Sequence, residues 1–330
     1  MFIRILLLVF ILLRSCDKPA NKTDSELPIE YDILWESAGD LGQRVYCLLN
    51  LGTILFAGTY QGLYISADSG QTWTVTKNGL SITTVRAMVE KDGNIFAAGG
   101  ILDGGVCVST DSGKSWTDAK DGLPNTSVSS LAVNGRHLYA GTFAYGVFIS
   151  EDNGAHWHAI NKGLPSTIGD VTYLAGDKNY MVACVNSDTD GVYLSRDNGS
   201  MWSNISQGLP PDHADFTSLL IHNNKIFVSA DGDSGGVFTT SNYGQTWKKL
   251  RLDDRSISIL ARSGSVLIEG GFGGIRSSTD NGATWFLADN GLYPQGLPDI
   301  NSILVLRDRI FAGLNFGGVY FLILPERMSF

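Results

Sequence analysis

SADSGQTW (66–73) is followed along the chain by STDSGKSW (109–116), SEDNGAHW (150–157), SRDNGSMW (195–202), TSNYGQTW (240–247) and STDNGATW (278–285). A catalytic motif is normally used once, so a string used six times builds something. Six of the seven tryptophans end these boxes. The seventh, Trp35, lies in ILWESAGDLGQRVYCLL, which matches the stretch running on from a box elsewhere, as in QTWTVTKNGLSITTVRAMV. Trp35 to Trp285 covers 250 residues in six steps, about 42 per step.

Periods of this size with several short strands per unit mark β-propellers. Each unit reads the same way. An inner strand (VRAMVEK, VSSLAVN, FTSLLIH) leads to a second (NIFAAG, HLYAGT, KIFVSA). A glycine-rich loop comes next, then a third strand (GLYIS, GVFIS, GVYLS, GVFTT), the box, and a fourth strand starting at Trp. Alternating apolar residues bounded by Gly, Asn and Asp fit short antiparallel strands.

Between the third and fourth strands the chain must reverse tightly. Asp68, Asp111, Asp152, Asp197 and Asp280 can accept from turn amides, and Ser66 and its equivalents can do likewise. Gly70, Gly113, Gly154, Gly199, Gly244 and Gly282 allow positive φ at the end of the turn. Trp73, Trp116, Trp157, Trp202, Trp247 and Trp285 then pack a large ring against the hairpin. Asn242 replaces Asp in the fifth copy and still forms the turn, while His156 and Met201 replace Thr in two others. The box is read as a structural clasp.

Six boxes close six blades. A seventh blade begins near Ile300 (INSILVLRDRIFAGLNFGGVYFL) and stops where its box would come, so its fourth strand is missing. The orphan strand around Trp35 supplies it and leaves no exposed radial edge. The expected fold is all-β, a seven-bladed propeller of four-stranded blades over residues 29–330.

On these six boxes and the matching Trp35 stretch, the chain resembles the BNR or Asp-box β-propeller superfamily across roughly residues 31–322. That superfamily includes sialidases, xyloglucanases, sortilin-type receptors and the photosystem II assembly factor. The resemblance implies an architecture and leaves function open.

The ends and the composition narrow the setting. Arg4 and the apolar run Ile5 to Leu13 read as a signal peptide, too short to span a bilayer. Leu13-Arg14-Ser15-Cys16 resembles the bacterial lipobox with Cys16 as the acylated residue, although Arg14 departs from the usual small or apolar residue. Residues 1–15 are thus expected to be removed and 16–28 to form a lipidated polar tether. Cys47, Cys107 and Cys184 each sit in an apolar strand-like run and read as buried single thiols. A net charge of −9 argues against nucleic acid, whose phosphates need a basic face. The chain is expected to be a monomer that meets the membrane only through its lipid.

The search for chemistry yields little. GDSGG (232–236) copies a serine-protease signature but falls in the loop between the second and third strands of blade five, with no triad context. Sialidases resemble one another in an Arg-Ile-Pro strand, which is absent here; Arg44, Arg86 and Arg255, with Glu269 close by, make only a thin arginine cluster. Xyloglucanases of the superfamily set their cleft between two propellers, and this chain has one. No cofactor, no metal ligand set and no catalytic residue is assigned.

In propellers, ligands meet the face formed by loops entering the inner strands and loops between the second and third strands. Aligning the inner strands on Val45, Val85, Val128, Val171, Phe216, Ile257 and Ile300 puts Arg44, Asp170, Asp215 and Asp299 at equivalent mouth positions. The loops of blades four and five add Asp188, Asp190, Asp231 and Asp233. Other loops offer Tyr60, Phe143, Tyr145, Phe272 and Phe316. Acids with rings suit a sugar, a peptide or a cationic group, and the same aspartates can equally serve as turn formers.

The expected function is that of an exported, lipid-anchored, non-catalytic propeller that binds an envelope protein or glycan. The alternative is a glycoside hydrolase of sialidase-like or xyloglucanase-like type. Metabolic labelling with a palmitate analogue should mark the wild type and not Cys16→Ser; persistent labelling of the variant would remove the lipid anchor from this reading.

Overall fold

The computed structural model describes residues 34–100, 104–186, 191–210, 215–232, 234–250, 256–292 and 298–323. Within them the chain forms seven sheets of four strands and no helix. Blade one holds Val45–Leu51, Ile54–Thr59, Gly62–Ser66 and Thr74–Thr76, all antiparallel, and blades two to six repeat it. Blade seven combines Ile300–Val305, Arg309–Leu314 and Val319–Ile323 with Glu36–Gly39 from the other end of the chain. Glu36 pairs with Phe321 and Ser37 with Tyr320, so the strand after Trp35 closes the ring as the repeat arithmetic requires.

The apolar clusters lie between blades. Phe56 and Leu63 of blade one, for example, pack on Val85, Ile95 and Cys107 of blade two. Second strands are covered on both sides, so in ILFAGT, NIFAAG and HLYAGT every residue after the first is buried. Near the axis the blades approach closely enough to require small side chains. A Cβ on Gly58 would stand 2.5 Å from Cys47 Sγ and 2.7 Å from Val85 Cγ1 of the next blade.

The clasps form with one geometry. The Ser66 hydroxyl donates to Asp68 Oδ1 (2.7 Å) and accepts from the Gly70 amide (2.8 Å). Asp68 in turn accepts from the Thr72 amide (2.9 Å) and hydroxyl (2.5 Å). Position seven of the box is tolerant, as its spelling suggests: His156 Nδ1 lies 2.7 Å from Asp152 Oδ2, in the place of the threonine hydroxyl, while Met201 gives the Asp197 carboxylate only its amide, at 2.9 Å. Glycine is joined in the left-handed region by the residue before it, at φ 63° for Ser69 and 58° for Asn153.

The tryptophans do more than pack on their own hairpin. Trp73, Trp157, Trp202 and Trp247 donate their indole N–H to carbonyls of Ala38, Ala119, Ile160 and Ile205, each in the preceding blade. Trp35 does the same to Ala288 of blade six at 2.7 Å, which carries the stitch across the closure. Trp285 instead donates to Gly282 within its own box.

Hydrogen bonds hold four clasp carboxylates far below their ordinary value. The Thr72 hydroxyl and amide lower Asp68 to about 2, and the corresponding Ser115, His156 and Thr284 groups do so for Asp111, Asp152 and Asp280. A carboxylate whose folded value lies below its unfolded value of roughly 3.9 stabilises the fold above that pH and loses the contribution as pH falls. Thermal stability should therefore drop between about pH 4 and pH 2. Asn242 shows how a neutral clasp holds, with Nδ2 donating to Thr246 Oγ1 at 2.9 Å. The triple variant Asp68→Asn, Asp111→Asn, Asp280→Asn should lose less of its melting temperature over this window in calorimetry. An unchanged acid profile would show that the clasps do not set it.

Candidate functional site: the axial mouth

In every blade the ladder between the inner and second strands slips by one residue close to the axis. The slips fall between Val45 and Cys47, Val85 and Ala87, Val128 and Ser130, and Val171 and Tyr173. They recur between Phe216 and Ser218, Ile257 and Ile259, and Ile300 and Ser302. A β-bulge leaves one residue out of the ladder and re-aims its side chain. The bulged residues are Tyr46, Arg86, Ser129, Thr172, Thr217, Ser258 and Asn301, and all seven line one cavity of about 550 Å³. Of the positions preceding the inner strands, Arg44, Asp170 and Asp215 line it too.

One rung further out, the loops between second and third strands fold back on the residues that enter the inner strands. The amides of Tyr60, Phe143, Asp231 and Phe272 donate to the carbonyls of Arg44, Ser127, Asp215 and Ser256. Tyr60, Phe143, Tyr145 and Phe272 are about half exposed on these loops, and Phe316 is 75% exposed. These aromatics lie outside the lining of the axial cavity. Tyr60 borders a separate cleft of about 390 Å³ with Ile82, Thr83 and Thr84.

The cavity is sorted by charge. Arg44 and Arg86 come from blades one and two, and their guanidinium carbons lie 5.4 and 5.6 Å from the centre of the Tyr46 ring. Asp170 and Asp215 come from blades four and five. Arg86 Nε and Asp170 Oδ1 are buried with no hydrogen-bond partner. Burial holds the Asp170 carboxyl above the usual carboxylate range, against the opposing pull of the Ser129 hydroxyl and the Arg86 guanidinium.

The sequence-predicted residues are thus brought together only in part. Arg44, Arg86, Asp170 and Asp215 converge. Asp231 accepts from the Gly232 amide and the Ser256 hydroxyl, and Asp299 accepts from Asn315 Nδ2 at 2.8 Å, so both act as loop formers outside the cavity lining. Glu269, expected near the mouth, is instead buried on the second strand of blade six, 3.5 Å from Arg276 Nη1. Asp188, Asp190, Asp233, Arg255 and Cys16 lie outside the described residues. Among the described residues no group of three His, Cys, Asp or Glu is placed to hold a metal ion. Sequence reasoning settles on the residue before the aligned Val and, Arg86 apart, passes over the bulge column. The triplets VYC, VRA, VSS, VTY, FTS, ISI and INS carry that column as a polar or amphipathic residue just after the anchor.

Comparison with known proteins agrees with this architecture. Residues 166–308 match the DUF6242 beta propeller domain. No curated protein matches the sequence significantly. Among solved structures, an extracellular domain from B. thetaiotaomicron, assigned to a one component system, is similar at TM-score 0.71 and 16% identity over 88% of this chain. This chain spans only 40% of that one. The GH74 xyloglucanase from Xanthomonas campestris is similar at TM-score 0.67 and 17% identity, over 88% of this chain and 53% of the enzyme. YCF48, solved bound to D1 peptide, is similar at TM-score 0.67 and 16% identity, over 90% of this chain and 99% of YCF48. Identities of this size establish a shared fold, which binding proteins and enzymes both use.

The raised Asp170 carboxyl has a consequence for stability. A carboxyl whose folded value exceeds its unfolded value favours the fold below roughly pH 3.9 and opposes it as pH rises through the folded value. Asp170→Asn should therefore melt higher than wild type at pH 7, with the gap closing towards pH 4. A variant that melts lower at pH 7 would mean that the charged form is compensated in the fold.

Proposed function

We propose that the chain is an exported, lipid-anchored, non-catalytic propeller that binds a protein or glycan of the cell envelope at its axial mouth. The observation that carries this reading is the cavity itself. Seven separate blades each present a bulged side chain to one space of about 550 Å³, and buried polar atoms there lack partners. A ring that needed only to close could fill its axis with apolar side chains, whereas here the bulged residues Tyr46, Arg86, Ser129, Thr172, Thr217, Ser258 and Asn301 line it with polar groups. The exposed aromatics of the surrounding loops supply further contact area of the kind that peptides and sugars stack on. The signal-like residues 1–15 and the tether 16–28 support an envelope setting, and a similar propeller is an extracellular domain.

A hydrolase is the second reading, favoured by one observation. Asp170 and Asp215 share the cavity on adjacent blades, and burial raises the Asp170 carboxyl, as a glycosidase general acid requires.

Pull-down from detergent-solubilised envelope, combined with a glycan array, tests the first reading. The double variant Arg86→Gln, Asp215→Asn should lose at least about tenfold in affinity for whatever the wild type retains, a cost of about 1.4 kcal/mol. Binding that survives in a folded variant would move the site elsewhere. Release of reducing sugar from an envelope or plant polysaccharide, abolished by Asp170→Asn, would replace the binding reading with the hydrolase.

A further inference from the structure

Taking the mouth as a binding site, its charge pattern names a class of ligand. Blades one and four, like blades two and five, are three steps apart, the largest separation a ring of seven permits. Arg44 therefore faces Asp170, and Asp215 faces both arginines, across the axis, while Arg86 and Asp170 stand two blades apart on the nearer side. Among the described residues no ion pair joins either arginine to an aspartate, although Arg86 is near enough to lower the Asp170 carboxyl. The inner group on each wall, Arg86 and Asp170, is the one with a buried atom lacking a partner.

We propose that the axial mouth receives a zwitterion, a free amino acid or short peptide whose carboxylate meets Arg44 and Arg86 while its ammonium group meets Asp170 and Asp215. Guanidinium forks match a carboxylate with paired N–H donors, and both guanidinium groups lie within cation–π reach of the Tyr46 ring. An ammonium group brings three donors and no acceptor, which suits two carboxylates. Grouping like charges on one wall costs repulsion that alternating them would avoid. A neutral saccharide gives no reason for that sorting, a polyanion meets the aspartate wall, and a polycation meets the arginine wall.

Calorimetric titration of the full chain with trialanine, its N-acetyl form, its C-terminal amide and the doubly blocked peptide tests the inference. The free peptide should bind tightest, with each single block weakening it about tenfold or more. Arg86→Gln should abolish discrimination between free peptide and amide, and Asp170→Asn discrimination between free and acetylated peptide. Each variant should keep the other preference, which a merely structural role would not predict. Doubly blocked trialanine binding as well as the free peptide, with mouth variants still defective, would overturn the zwitterion and leave the mouth a binding site. No binding by any of the four would overturn it as well, while the envelope pull-down with the mouth variants decides separately whether the mouth binds anything.

Discussion

Seven sheets can share one axis only if their inner strands approach more closely than ordinary side chains allow. The chain meets that constraint with two devices at adjacent rungs. On the second strand it places Gly58, Ala98, Gly141, Cys184, Ser229, Gly270 or Gly313, residues small enough for the neighbouring blade to slide past. On the inner strand it inserts one residue into the ladder and turns that side chain out. Crowding at the axis and the polar ring of the mouth are thus one solution, since each bulge that relieves the packing also delivers a side chain to the cavity.

At the rim the problem is reversed, because radiating sheets diverge and must be held together across a widening gap. Tryptophan is long enough to reach the preceding blade and has a donor at its far edge. Five indoles direct that donor to a main-chain carbonyl there. The hydrogen-bonded box beneath fixes the ring's launching point. Packing layers between blades then make the molecule a circular stack in which every blade is finished by its neighbours.

Most of this architecture is legible in the residues. Six boxes at even spacing give the blades, and the stray Trp35 gives the closure, because both rest on local strings that recur. The stitch made by five of the tryptophans is not legible, since its acceptor is a backbone carbonyl and Ala38, Ala119, Ile160, Ile205 and Ala288 carry no side-chain mark of that role. The mouth is half legible. Loop aspartates read as one acidic gathering, yet Asp231 and Asp299 are engaged by their own loops. Opposition of Arg44 to Asp170 and of Arg86 to Asp215 depends on ring geometry, which no window of sequence contains.

The pairing of Glu36 with Phe321 has a kinetic meaning as well as a structural one. Every other blade is assembled from neighbours in sequence and can form as soon as its segment is available. The last sheet must join residues from opposite ends of the polypeptide. Loop closure costs only a logarithm of the intervening length, so the finished ring suffers little in free energy. In time the cost is larger, because long-range strand pairing is slow. Until that one sheet assembles, the molecule is an open arc with two bare ends, the moment at which edge pairing with another copy competes with self-closure.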